Sequence, residues 1–123
     1  MAKKSKASRI KAERKRLDSL YAAMDPNRKA LAEGLLENAA FMRIELQDLA
    51  EELQENGWTE LFSQGKQEPY LRARPQGQMY NSTNGNYQKI IKQLDAMLPR
   101  QEQTAPGDPD DGFDDFVLGR DER

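Results

Sequence analysis

The chain contains no cysteine and no histidine in 123 residues, and each absence removes a class of chemistry. Without cysteine there are no disulfides and no thiolate nucleophiles; without histidine there is no imidazole acid–base catalysis; together they remove the common zinc ligand sets. No apolar run approaches the roughly 20 residues of a membrane span. The charged N-terminus is not followed by the apolar stretch of a signal peptide. The expectation is a soluble, unexported protein with no membrane partner. No glycine-rich stretch ends in the Lys-Ser/Thr pair of a phosphate-cradling loop, and the serines have no base to activate them. Glu51, Glu52 and Glu55 read as a solvated helix face rather than paired acid–base groups. Asp108-Pro109-Asp110-Asp111-Gly112 departs from a calcium loop, since its glycine falls at the fifth position and Gly119 stands where the bidentate Glu belongs. Asn81-Ser82-Thr83 fits a glycosylation acceptor by chance in a chain with no secretory route. No catalytic residue, metal ligand or cofactor is expected, and the protein reads as a non-enzyme.

What the chain does have is charge polarity. Residues 1–20 carry Lys3, Lys4, Lys6, Arg9, Lys11, Arg14, Lys15 and Arg16 against Glu13 and Asp18, a net +6. Residues 101–123 carry eight acids against Arg120 and Arg123, a net −6. A total of −2 therefore conceals two opposite surfaces, which suits a protein that joins a polyanion to a second partner. Three segments follow: a basic arm over 1–24, a helical core over 25–99 and an acidic tail over 100–123.

Ile10, Leu17, Leu20, Tyr21 and Met24 recur at helical spacing and predict a short basic amphipathic helix between Ala7 and Met24. Asp25-Pro26 ends it and opens the next, with Asp25 as N-cap and Pro26 in the first turn. Leu31, Leu35, Ala39, Met42, Leu46, Leu49 and Leu53 then form a heptad-like stripe, widened by Leu36, Ala40, Phe41 and Ile44. This predicts one helix from Pro26 to about Asn56, roughly 45 Å long at about 1.5 Å per residue, closed by Gly57. Residues 58–76 break the period and read as a loop or short turn. A third helix runs from about Gln76, or from Asn84 if the Asn-rich stretch around Gly85 is a loop, to Leu98. Tyr80, Tyr87, Ile91, Leu94 and Leu98 form its stripe, and Pro99 closes it. The tail has the composition of disorder.

The fold class expected is all-α: a long helical hairpin with a short N-terminal basic helix and a disordered acidic tail, assembling as a cyclic oligomer. Leu35, Met42, Leu46, Leu49, Leu53, Tyr80, Tyr87, Ile91 and Leu94 are the candidate contacts between copies. The eight basic residues of the head are the candidate phosphate contacts, which position a nucleic acid without specifying its sequence. Phe113, Phe116 and Val117 stand at i, i+3 and i+4 beside Asp114 and Asp115, a pattern that docks in a partner's groove.

The blocks Glu37-Asn38-Ala39-Ala40-Phe41-Met42-Arg43-Ile44, Met79-Tyr80-Asn81, Ile91-Lys92-Gln93-Leu94 and Asp111-Gly112-Phe113-Asp114-Asp115-Phe116 resemble, in order and spacing, the small terminase subunit of tailed bacteriophages and prophages. The likeness spans most of residues 30–117, and Ser82-Thr83-Asn84-Gly85 departs from it. It implies a DNA-packaging factor that forms a ring, binds double-stranded viral DNA at the packaging start site in the cytoplasm of the infected bacterium, and recruits the large terminase subunit. In that scheme Phe113, Asp114, Asp115, Phe116 and Val117 meet the large subunit. Two other readings fit the residues: a small dimeric helical DNA-binding regulator, and a helical scaffold or chaperone without DNA binding.

Overall fold

The computed structural model describes residues 4–100. Lys3 and the whole candidate partner segment Phe113–Val117 lie outside the described residues. The described chain forms α1 (Lys6–Leu20), α2 (Pro26–Leu31), α3 (Glu33–Asn56), β1 (Thr59–Phe62), β2 (Tyr70–Ala73) and α4 (Pro75–Ala96). α3 is the central helix, with α1 and α4 packed against it. Ion pairs join Lys6 to Glu45 and Arg14 to Glu33, so α1 runs antiparallel to α3.

Helix boundaries follow local chemistry. Ser5 caps α1, its side chain accepting the Ser8 N–H at 3.1 Å. The Asp25 carboxylate accepts the Asn27 N–H at 3.2 Å, and Pro26 opens α2 as expected. The expected single helix from Pro26 to Asn56 is divided at Ala32. There the N–H is shared between Arg28 O at 2.8 Å and Lys29 O at 3.2 Å, so the turn tightens before α3 resumes. Gly57, at φ 85°, closes α3 in a conformation that L side chains rarely adopt, its N–H bonded to Leu53 O at 2.7 Å.

The all-α expectation needs one correction, because residues 58–76 are not a plain loop. β1 and β2 form an antiparallel hairpin in which Glu60 faces Arg72, Leu61 faces Leu71 and Phe62 faces Tyr70. Successive side chains alternate between the faces of a strand. Glu60, Phe62, Tyr70 and Arg72 therefore share one face, where Arg72 Nε donates to Glu60 Oε2 at 2.8 Å. The Arg72 guanidinium also lies 3.5 Å from the centroid of Phe62, and Phe62 meets Tyr70 edge to face at 5.7 Å. The other face carries Leu61 and Leu71, both exposed. One charged residue in each four-residue strand, Glu60 and Arg72, interrupts its apolar run and obscured it in the sequence.

α4 is helical from Pro75 through the Asn-rich stretch, so its start matches the earlier of the two expectations. Packing outweighs the weak propensity of Asn and Gly there. Trp58 lies on Gly77, where an added Cβ would fall 2.7 Å from the indole, and meets Tyr80 edge to face at 6.2 Å. α4 ends at Ala96 rather than Leu98. The main core brings together Leu17, Tyr21, Met24, Ala32, Leu36, Ala39, Ala40, Leu94 and Leu98. It sits where the C-terminal parts of α1 and α4 meet the start of α3. Among the described residues, no helix is long and apolar enough to cross a membrane.

Candidate nucleic-acid interface

The basic head becomes α1, and the fold sorts its cations into two groups. Arg14 is tied to three carboxylates: Asp18 at 3.0 Å, Glu33 at 2.9 Å and, more loosely, Glu37 at 3.8 Å. Its hydrogen bond to Glu33 raises its pKa above the ordinary arginine value. Arg16 grips Glu13, itself buried, through two hydrogen bonds of 2.6 and 3.0 Å. Arg9 pairs with Asp48 at 2.8 Å and donates to Gln47 at 3.2 Å, while Lys6 pairs with Glu45. These four cations are engaged inside the chain.

Lys4, Lys11 and Lys15 have no ion-pair partner among the described residues. All three are exposed. Lys11 and Lys15 stand four residues apart and so share the face of α1 opposite buried Leu17, about 6 Å apart along the axis. Ser8, Ala12 and Ser19, also exposed on α1, are small enough to let a phosphodiester backbone approach closely. Lys4 instead borders a cleft with Asp48, Glu51 and Glu55. A rigid docking face on α1 is thus Lys11 and Lys15, with the half-exposed Arg16 at its edge. The sequence could not separate the two groups, because both kinds of lysine and arginine sit in one charge run. The missing signal was the acidic series Glu33, Glu37, Glu45 and Asp48, whose helical spacing supplies partners from α3.

The candidate contacts between copies are likewise divided. Leu46, Leu49, Leu53 and Leu94 are buried within the protomer, and their side chains are taken up by its own packing. Leu35, Tyr87 and Ile91 pack as partly buried residues against the core, and Met42 and Tyr80 keep part of their surface. Of the large apolar side chains left at the surface, Trp58, Leu61, Tyr70, Leu71 and Met79 collect in or beside the hairpin, whereas Leu20, Leu31 and Phe41 are exposed on the helices. Sequence periodicity missed this patch because strands so short show no helical stripe.

Arg74 clamps the hairpin to the helices. Its guanidinium donates to Gly57 O and to the Glu52 carboxylate, and its N–H bonds Trp58 O at 2.9 Å. The hydrogen bond from Arg74 holds the Glu52 carboxyl below its ordinary pKa. No group of His, Asp and Glu that could hold a metal ion occurs among the described residues. Compared with known proteins, the chain matches no family model, no curated protein and no solved structure.

Proposed function

We propose that this protein is a non-enzymatic DNA-packaging factor of the small-terminase kind. It assembles as a cyclic homo-oligomer, binds double-stranded viral DNA at the packaging start site, and recruits the large ATPase–nuclease subunit in the cytoplasm of an infected bacterium. Residues 100–123, with Phe113, Asp114, Asp115, Phe116 and Val117, are the segment offered to the large subunit.

The observation that carries the reading is that two unsatisfied surfaces of different character lie on separate elements. Lys11 and Lys15 face solvent on α1, while Leu61 and Leu71 face solvent on the hairpin. Within α1 the exposed cations without an ion pair among the described residues are Lys11 and Lys15, a small site for phosphate in one protomer. A ring repeats that face many times, and multivalency turns weak single contacts into useful affinity. The hairpin's apolar face, the half-covered Met42 and Tyr80, and the exposed Leu20, Leu31 and Phe41 are apolar surfaces open to neighbouring copies, whereas the deeper leucines of α3 are occupied.

Native mass spectrometry of the full chain, checked by light scattering, tests the assembly. A closed species of many subunits is expected, and Leu61→Asp with Leu71→Asp should reduce it to smaller species while helicity is kept. A monomer or dimer at micromolar concentration that reads palindromic half-sites would replace the ring with a dimeric regulator. For the nucleic acid, Lys11→Ala with Lys15→Ala should weaken duplex binding uniformly across sequences and flatten the log–log salt slope by about 2. Absence of duplex affinity at moderate salt would leave the scaffold reading.

A further inference from the structure

α1 is held to α3 in two different ways along its length. Its C-terminal half is anchored by Leu17, and the turn beyond it by Tyr21 and Met24, all buried in the core. Ahead of the half-buried Ile10, the first turn has no buried apolar residue, and Ala7 and Ser8 are exposed. What holds that turn is charge: Lys6 on Glu45, and Arg9 on Asp48 and Gln47. Beside these pairs lies an open cleft of about 360 Å3 whose walls are cationic on one side (Lys4, Lys6, Arg9) and acidic on the other (Asp48, Glu51, Glu55). The seam is electrostatic rather than packed.

An exposed ion pair such as Lys6 on Glu45 contributes only about 0–1 kcal/mol, and the more covered Arg9 is held by one ion pair to Asp48 and one neutral hydrogen bond to Gln47. A nucleic-acid backbone competes for the same groups with advantages that a carboxylate lacks. Arginine binds phosphate through the same paired N–H geometry, and each phosphate neutralised releases condensed counterions. Glu45 and Asp48 have about a quarter to a third of their side-chain surface exposed, and the covered Asp48 Oδ1 that faces Arg9 must gain water when the arginine leaves.

We propose that the first turn of α1 is an exchangeable polyanion-binding arm. Lys6 and Arg9 transfer from Glu45 and Asp48 to phosphate oxygens, and the α3 carboxylates act as the chain's own competitor for the site. The engaged pair adds two contacts to those of Lys11 and Lys15, so the fold holds part of its affinity in reserve until a polyanion is present. The inference deepens the DNA-binding reading above and takes its nucleic acid from it. The exchange itself requires only a phosphate polymer.

The chain's lack of cysteine makes the test direct. Nitroxides at Ala7→Cys and Gln54→Cys, both exposed positions, report the separation of the first turn from α3 in full-length protein diluted with unlabelled copies. With inorganic polyphosphate or a 30-base-pair duplex at about 50 mM salt, a longer distance component should appear, and about 0.5 M salt should remove it. In Glu45→Gln with Asp48→Asn the longer component should be present without ligand. Affinity for polyphosphate should then rise about five-fold or more beyond that of Glu68→Gln with Glu122→Gln, which makes the same change in net charge. A duplex that binds with the distance unchanged would overturn the exchange, as would equal gains in the two double variants or polyphosphate that binds without opening the turn. Opening by polyphosphate with no duplex affinity would support the exchange and remove the DNA reading.

Discussion

The two ends of the helical body are built on different principles. At one end Leu17, Leu36 and Leu94 are almost wholly removed from water, and three helices share one apolar cluster. At the other, Trp58 stays half exposed over Gly77, Leu61 and Leu71 face solvent, and the hairpin is tied down by the hydrogen bonds of Arg74. The first end is held chiefly by apolar burial, with the Arg14 and Arg16 ion pairs at its margin. The second end, together with the charged first turn of α1, carries the surfaces that change with solution conditions or wait for a partner. A two-stranded hairpin is marginal by itself, and here its apolar face is not covered by the protomer.

The contrast can be broken from the core side first. Leu36→Ala should cost about 2–5 kcal/mol, because the site is fully buried and the surrounding helices cannot collapse into the cavity. Denaturant unfolding followed by circular dichroism would measure it, and a loss below 1 kcal/mol would mean that the shared cluster is not the anchor. Next in size is Gly77→Val. A side chain there meets the Trp58 indole, so the ring must move or α4 must shift, at about 1–3 kcal/mol. Because Trp58 is the chain's single tryptophan, its emission reports the displacement directly, and an unchanged spectrum would refute the contact.

The smallest effect sharpens the electrostatic side. Arg74 depresses the Glu52 carboxyl in the folded state, so this pair's stabilisation is complete above the ordinary carboxylate pKa. It is lost as the pH falls through the lowered folded value. Trp58 emission should therefore change as the pH falls below the ordinary carboxylate range, before helicity does, and Glu52→Gln should remove that early phase. Simultaneous loss of both signals in the wild type would place the clamp and the core in one cooperative unit.

How much of this was legible in advance depended on the range of the interactions. The Asp25-Pro26 junction and the Gly57 stop are set by neighbours within one turn, and both stand where the residues place them. The heptad stripe placed a long helix where α3 stands, ending at Asn56. It gave no sign that Leu46, Leu49 and Leu53 are buried within the protomer, since a stripe that packs on the chain's own helices reads the same as one that packs on another copy. The strands were hidden because alternation over four residues cannot be told from irregular structure when charges interrupt it. The helical start of α4 depended on Trp58 reaching Gly77 across the hairpin, a contact with no local signature.

The charge of the head shows the same division most plainly. Composition determined that residues 1–20 are strongly basic, that helical periodicity organises them, and that no cysteine or histidine chemistry can accompany them. Tertiary structure alone decided which cations are free, because an ion pair depends on distance in space. Only the antiparallel packing of α1 on α3 brings Glu33, Glu45 and Asp48 to Arg14, Lys6 and Arg9, while leaving Lys11 and Lys15 in water.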